Sequence, residues 1–407
     1  MTAFRMACVI LISAGLTLAG LTLDGLTGMA RGAESPAAVT PKIGHVFVIV
    51  LENESFSETF GPESPAKYLN SLTRKGALLE NYYGIGHFSL DNYIAMISGQ
   101  APNPTTQSDC QDYVEFVQTG TTPDGQAIGA GCVYPDTVKT LANQIEDKAL
   151  TWKAYMEDMG NDPARESATC GHPAIGAHDG TQRAEKGDQY ASRHDPFVYF
   201  HAIIDKPSCA ARVVNLEALA VDLQSAAATP NYVFVTPNLC NDGHDGGEGG
   251  RRCVDGEPGG FVSADAFLQR MVPQILASPA FKQDGLLIVT FDESEIKAHF
   301  DGNTGQVVVQ GGDASACCSE SSGPNITPDR KVFNMPDKGP GVVGPGGGRI
   351  GAVLLSPFVK PGTVSKTPYN HYALLRTVED FFGLDHLGYA AQPGLKTFGA
   401  DVFGSGR

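Results

Sequence analysis

The sequence predicts an α/β fold: a mostly parallel central sheet with helices on both faces, carrying long disulfide-tied loops. Three observations predict it. The run His45–Leu51, "HVFVIVL", is almost continuously apolar and rich in β-branched residues, as a strand buried on both faces must be. Similar runs alternate along the chain with segments of helical apolar spacing, the pattern of strands joined by helical crossovers. Two stretches rich in Gly, Pro and polar residues, 100–135 and 302–348, break this rhythm and hold Cys110, Cys132, Cys317 and Cys318.

The elements follow in order. At the start, Arg5 precedes the apolar run Met6–Leu23, and small residues then appear at Gly28, Ala30, Gly32 and Ala33. This grammar predicts a secretory signal over 1–33 and leaves 34–407 as one α/β domain. An apolar run of about 18 residues also approaches the length of a membrane span, so an uncleaved N-terminal anchor is the alternative. After the first strand, Ser64, Pro65 and Gly76 read as cap, first residue and stop of a helix in "SPAKYLNSLTRKG". "SLDNYIAMISG" puts Leu90, Ile94 and Ile97 on one face and ends at Gly99. A helix over "DTVKTLANQIEDK" leads to a strand near "TWKAYM". In the second half, helical "NLEALAVDLQSAA" precedes the strand Asn231–Pro237. "SADAFLQRMVPQILAS", with a kink expected near Pro273, precedes the strand Gly285–Phe291. A strand in "RIGAVLLSP" and a helix in "NHYALLRTVEDFFG" complete the set.

The chain has 407 residues, 42% hydrophobic and 18% charged, enough for one large core. Its net charge of −16 argues against a general nucleic-acid or anionic-membrane surface. Apart from Cys8, the cysteines are even in number, and behind an export signal they read as structural disulfides of a secreted or periplasmic protein. The adjacent Cys317 and Cys318 are expected to bond to different partners. No pair has the C-x₂-C spacing of a zinc site.

In open α/β sheets, ligands bind beyond the carboxyl ends of the strands. Glu52 and Asn53 follow the first strand, and Asn238, Asn241, Asp242, His244 and Asp245 follow a second. Asp292 and Glu293 follow a third. One Asp or Asn after a strand is ordinary turn chemistry. Carboxylates from several strands at one edge repel one another unless a cation joins them, and a divalent ion accepts such oxygen ligands.

Ser89, in "YYGIGHFSLDNY", stands at the start of a helix. Its plain reading is an N-cap. Beside a metal ion, however, its hydroxyl becomes a nucleophile, and a helix N-terminus suits a phosphoryl group. The chain lacks a G-x-S-x-G elbow, which favours phosphoryl over acyl transfer. His244, among acids in a glycine-rich loop, suits phosphate contact or proton transfer. His194 reads as a loop residue, His87 as a loop-shaping one, and His371 as a helix cap or a supporting group. His172, His178, His201, His299 and His386 read as ordinary.

"HVFVIVLENESF", "HFSLDNYIAMISG", "SRHDPFVYF", "VTPNLCNDGHDG", "LLIVTFDE" and "NHYALLRTVEDFFGL" occur here in one order, spanning Gly44 to Gly388. In that order they resemble the phosphoesterase family, which contains secreted acid phosphatases and phospholipases C and belongs to the alkaline phosphatase superfamily. The resemblance implies an alkaline phosphatase-like fold and one divalent metal ion held by Glu52, Asn53, Ser89, Asp292 and Glu293. It implies Ser89 as nucleophile, His194 and His244 on the phosphoryl oxygens, one of them protonating the leaving group, and Asn92 as an added amide donor. Phe88, Asp91, Asp195 and Glu293 depart from the pattern of many members, which bears on ligand geometry and substrate choice.

The reading is an exported acid phosphatase that hydrolyses phosphate monoesters through a phosphoserine. Its substrate would be a small phosphate ester or a phospholipid head group. The alternatives are a phospholipase C-like phosphodiesterase and a non-catalytic phosphate- or metal-binding protein. A sulfatase is disfavoured, because its Cys/Ser-x-Pro-x-Arg site is missing.

Overall fold

The apolar run His45–Leu51 (β1) forms the middle of the main sheet, and each of its side chains is buried whichever face it points to. The computed structural model describes residues 41–247, 251–301, 306–326, 332–335, 339–342 and 346–403. Seven further strands complete the sheet: Ala77–Leu79 (β2), Trp152–Met156 (β3), Val213–Asn215 (β4), Tyr232–Thr236 (β5), Gly285–Phe291 (β6), Ala352–Leu355 (β7) and Thr363–Ser365 (β8). Their order is β8-β2-β7-β6-β1-β5-β3-β4. Only β7 runs against its neighbours, β2 and β6, so the sheet is mixed but mostly parallel.

The principal helices are Lys67–Thr73 (α1), Ser89–Ser98 (α2), Leu141–Asp147 (α3), Gly260–Ala277 (α4), Pro279–Asp284 (α5) and His371–Phe382 (α6). Register shows that they cover both faces. Phe47 pairs with Val233 and Val48 with Phe234, so Phe47 and Phe234 point to opposite sides. Phe47 meets Phe281 of α5, with ring centroids 6.4 Å apart, and Phe234 meets Tyr93 of α2 at 6.2 Å. Alternate residues of each central strand are thus buried against a different helix layer.

Local signals explain most boundaries. Gly99 ends α2 in the left-handed region (φ 66°), where a Cβ would meet the Leu387 carbonyl. Thr140 and Asn143 form a reciprocal capping box at the start of α3. Pro273 lies inside α4, which continues past it. The start of α1 differs from expectation. Ser64 Oγ accepts the Ala66 amide, but the helix itself begins at Lys67, where Asp265 of α4 accepts the amides of Tyr68 and Leu69. The segment expected as one helix over 215–227 is a 3₁₀ turn, Leu216–Ala218, followed by the short helix Leu219–Asp222.

The expected signal lies outside the described residues. Among those described, no helix is long and apolar enough to cross a membrane. The loop 100–135 contains an antiparallel hairpin, Val117–Thr121 with Ala127–Ala130, and Asn325 bonds to its Gly129 amide and Ala127 carbonyl. The two long loops are therefore joined. Disulfides link Cys110 to Cys132, Cys170 to Cys209 and Cys240 to Cys253. Cys317 and Cys318 bond to each other, which corrects the expectation of separate partners. Left-handed backbone at Cys318 and Ser319 turns the chain there.

Candidate active site

The site begins with backbone. Strands β1, β5 and β6 end at one edge, where the Glu52 amide donates to the Asp242 carbonyl at 2.8 Å and the Asp292 amide to the Leu51 carbonyl at 2.9 Å. Those bonds bring the three loops after the strands together. Glu52, Asp242 and Asp292 are each fully buried.

Ser89 reaches this edge from a strained turn. Phe88, just before it, has φ 85°, a conformation side chains rarely adopt outside constrained sites. The surroundings enforce it. The Phe88 amide donates to Glu293 Oε1 at 2.9 Å, and the Phe88 carbonyl accepts from Asn92 Nδ2 at 3.1 Å. Asn92 Oδ1 takes the amides of Ile85 and Gly86, so its side chain is committed to the loop. Gly84 is required for close approach, since a Cβ there would lie 2.7 Å from the Asp292 carbonyl.

Ser89 is not the N-cap of α2 but its first helical residue. Its hydroxyl instead donates to Glu52 Oε2 at 2.6 Å. One turn on, the Tyr93 hydroxyl donates to Glu52 Oε1 at 2.7 Å, and Asn53 Nδ2 donates to Oε2 at 3.0 Å. Tyr93 also stacks on His194, with centroids 5.3 Å apart and planes 12° from parallel. His194 Nε2 lies 3.3 Å from Glu52 Oε2 without hydrogen-bond geometry, and Nδ1 lies 3.9 Å from Asp242 Oδ2.

The charges are poised around Glu52. Burial pushes its carboxyl up, but the neighbouring His194 and the hydrogen bonds from Ser89 and Tyr93 outweigh this and hold it below the ordinary carboxyl range. Burial lowers His194 against the pull of Glu52, which favours the neutral ring beside an ionised carboxylate. Asp242 and Asp292 are driven well above the ordinary carboxyl range by burial and then by the charge of Glu52.

Several atoms here lack partners. Asp242 Oδ2, Asp292 Oδ2 and both ring nitrogens of His194 are buried without a hydrogen bond among the described residues. Glu52, His194 and Asp242 offer ligand atoms that all lie within 4.8 Å of one another. Buried polar atoms left unsatisfied at one point are costly, and a cation that takes them as ligands removes the cost. The donor set fits a divalent metal.

The other expected residues are placed as follows. Asn53, with left-handed backbone (φ 56°), donates its amide to Asp292 Oδ1 at 2.9 Å. Glu293 is turned to the serine loop, pairing with His87 Nδ1 and the Phe88 amide. The side chain of His244 is about half exposed and lies 3.8 Å from Asp245, while its amide donates to Asp242 Oδ1. Sequence reasoning missed Tyr93 and His194 as part of the ligand set; it placed Asp242 among the acids a cation would join but left it out of the ligand set implied by the resemblance. Helical spacing from Ser89 and position after β5 were the signals available.

The model of the phosphoesterase family matches residues 62–385. The chain belongs to the phosphoesterase family. Among curated relatives, it is 24% identical over 340 residues to a phosphate-repressible acid phosphatase of Penicillium chrysogenum, covering 84% of this chain and 59% of that one. It is 24% identical over 354 residues to a phosphatidylinositol-3-phosphatase of Mycobacterium tuberculosis, covering 87% and 82%. The chain thus spans under two thirds of the length of the fungal phosphatase. A solved protein of the alkaline phosphatase superfamily from Vibrio parahaemolyticus superposes with a TM-score of 0.43 at 12% identity, over 86% of this chain and 69% of that one.

Proposed function

We propose that this phosphoesterase-family chain is an exported, metal-dependent phosphatase that hydrolyses phosphate monoesters through a phosphoserine at Ser89. The observation that carries the reading is the 2.6 Å hydrogen bond from Ser89 Oγ to a carboxylate, Glu52, buried among unpartnered acid and imidazole atoms. That arrangement supports a hydroxyl whose proton has an acceptor in place.

The residues divide the work. Glu52 accepts the Ser89 proton as Oγ bonds to phosphorus and the P–O ester bond breaks. Tyr93 and Asn53 keep Glu52 oriented by their hydrogen bonds. His244 gives a proton to the departing alkoxide, and water then cleaves the phosphoserine to release phosphate. Glu52, Asp242, Asp292 and His194, with Asn53 and Ser89 from the resemblance, would hold one divalent cation whose charge favours the serine alkoxide and the phosphoryl oxygens, while Glu293, which the resemblance also offers, braces the serine turn.

The relatives' names, acid phosphatase and phosphatidylinositol-3-phosphatase, support a monoester over a diester substrate. Four disulfides among the described residues support an oxidising compartment and hence export. The test is acid quenching with a labelled aryl phosphate, with and without chelator, beside Ser89→Ala. Label on Ser89 that disappears with chelator and in the variant is the expected result. Turnover that survives Ser89→Ala removes the mechanism, and turnover of diesters alone removes the substrate class.

A further inference from the structure

Arg193 precedes His194 in the buried 3₁₀ turn Ser192–His194 and is only 9% exposed. Nothing in the chemistry above uses it. Its Nη1 donates to the Gln182 carbonyl at 3.2 Å, and its Nε lies 3.9 Å from Asp109 Oδ2, beyond hydrogen-bond length. Among the described residues the other guanidinium hydrogens make no hydrogen bond. None of the nitrogens that carry them is buried without a partner, so they reach solvent and are open to a ligand.

Its position relates it to Ser89. Asp109, the acid it faces, accepts the Leu90 amide at 3.1 Å through Oδ1, so the ion pair sits against the first turn of α2. Asp109 is held there by left-handed backbone (φ 54°), next to Cys110 and its bond to Cys132. On the other side, His194 brings the same 3₁₀ turn to Glu52 and Asp242. Burial works against the charge of Arg193, but Asp109, Glu52, Asp245 and Asp242 together keep it firmly protonated.

An incoming phosphate monoester carries up to two negative charges into a site already lined by Glu52, Asp242, Asp292 and Asp109. Arg193 supplies a permanent positive charge from that side, and a planar fork matches two phosphoryl oxygens. We propose that Arg193 is a substrate-binding residue that takes the non-bridging oxygens of the phosphoryl group at Ser89, with Asp109 orienting it from behind. The proposal rests on the reading of Ser89 as nucleophile, but its readout is binding rather than turnover.

Calorimetric titration of inorganic phosphate into the full chain, with divalent metal present, tests it for wild type, Arg193→Gln and Arg193→Lys. The expected result is phosphate affinity weakened about tenfold or more in Arg193→Gln and by a smaller factor in Arg193→Lys, with unchanged metal titration. Equal phosphate affinity in a folded variant and wild type overturns the proposal, as does wild type that takes up metal but binds no phosphate. If Arg193→Gln does not fold, folded Arg193→Lys decides alone: weakening of about threefold or more supports the role, and none overturns it. Phosphate binding that depends on Arg193 without any ester turnover leaves this assignment standing and sinks the phosphatase reading instead.

Discussion

His371 Nε2 lies 2.6 Å from the backbone carbonyl oxygen of Asp292, joining the first residue of α6 to the end of β6. A carbonyl only accepts, so Nε2 carries the proton, and Nδ1 accepts from the Tyr82 hydroxyl at 3.1 Å. Burial lowers the ring to about 4, which keeps it neutral in this role. His371 therefore fixes where Asp292 stands without touching substrate. His371→Ala should fold, lower kcat about tenfold or more, and weaken divalent-metal binding by a similar factor. Tyr82→Phe, which removes only the second hydrogen bond, should do less. A metal titration beside kcat checks both, and unaltered metal affinity in folded His371→Ala would refute the positioning role.

The composition of the metal site makes a second prediction. Geometry groups Glu52, His194 and Asp242, whereas Glu293 is occupied by His87 and the Phe88 amide. Asp242→Asn should then weaken divalent-metal binding more than Glu293→Gln does. Glu293→Gln should instead slow turnover by loosening the turn at Phe88. Metal-dependent shifts in the thermal midpoint, measured for both variants, separate the two effects. The reverse ranking would mean that Glu293 swings to the metal when it binds.

The strands were legible because burial on both faces demands an unbroken apolar run, and β1 and β6 have one. The residues after them were legible for the same reason, since a strand end is where a side chain can leave the sheet for the edge. What could not be read was how loops close on that edge. Asn92 has the spacing of a substrate ligand, but its four hydrogen bonds go to the loop before Ser89, a fact set by tertiary folding. By its own residue pattern His194 reads as a loop residue, and only the family resemblance puts it at the phosphoryl group; the fold brings Tyr93 and Glu52 against it from distant segments. Cys317 and Cys318 were misread because chain adjacency argues against a bond that a left-handed turn allows.

The tertiary cap on α1 carries a stability prediction free of the active site. Both oxygens of Asp265 are used, one by the Tyr68 amide at 2.8 Å and the other by the Leu69 amide at 2.9 Å. Asp265→Ala leaves both amides without their acceptor and should cost about 2 kcal/mol. Asp265→Asn keeps one acceptor and should cost roughly half as much. Urea unfolding measures the difference. Because α1 supplies none of the candidate site residues, kcat of the folded variants should not change, and a large loss of kcat would mean that this helix is coupled to the site.

Glu379 gives the clearest pH dependence. It is fully buried in α6, with Oε1 taking the Leu387 amide at 2.9 Å and Oε2 unpartnered. Burial raises its carboxyl from 4.5 to about 8. Between those values the folded chain keeps a proton that the unfolded chain releases, so this group's contribution to stability falls as pH rises. Below the lower value both states are protonated and the contribution is flat. Glu379→Gln keeps the acceptor for Leu387 and does not titrate, so it should lose that decline. The variant should gain on wild type by about 1.4 kcal/mol per pH unit across the window, reaching on the order of a few kcal/mol near its top. Urea midpoints from about pH 5 to about pH 8 measure the gap. Parallel curves would mean that Glu379 is ionised in the folded chain, with a positive partner or water at Oε2.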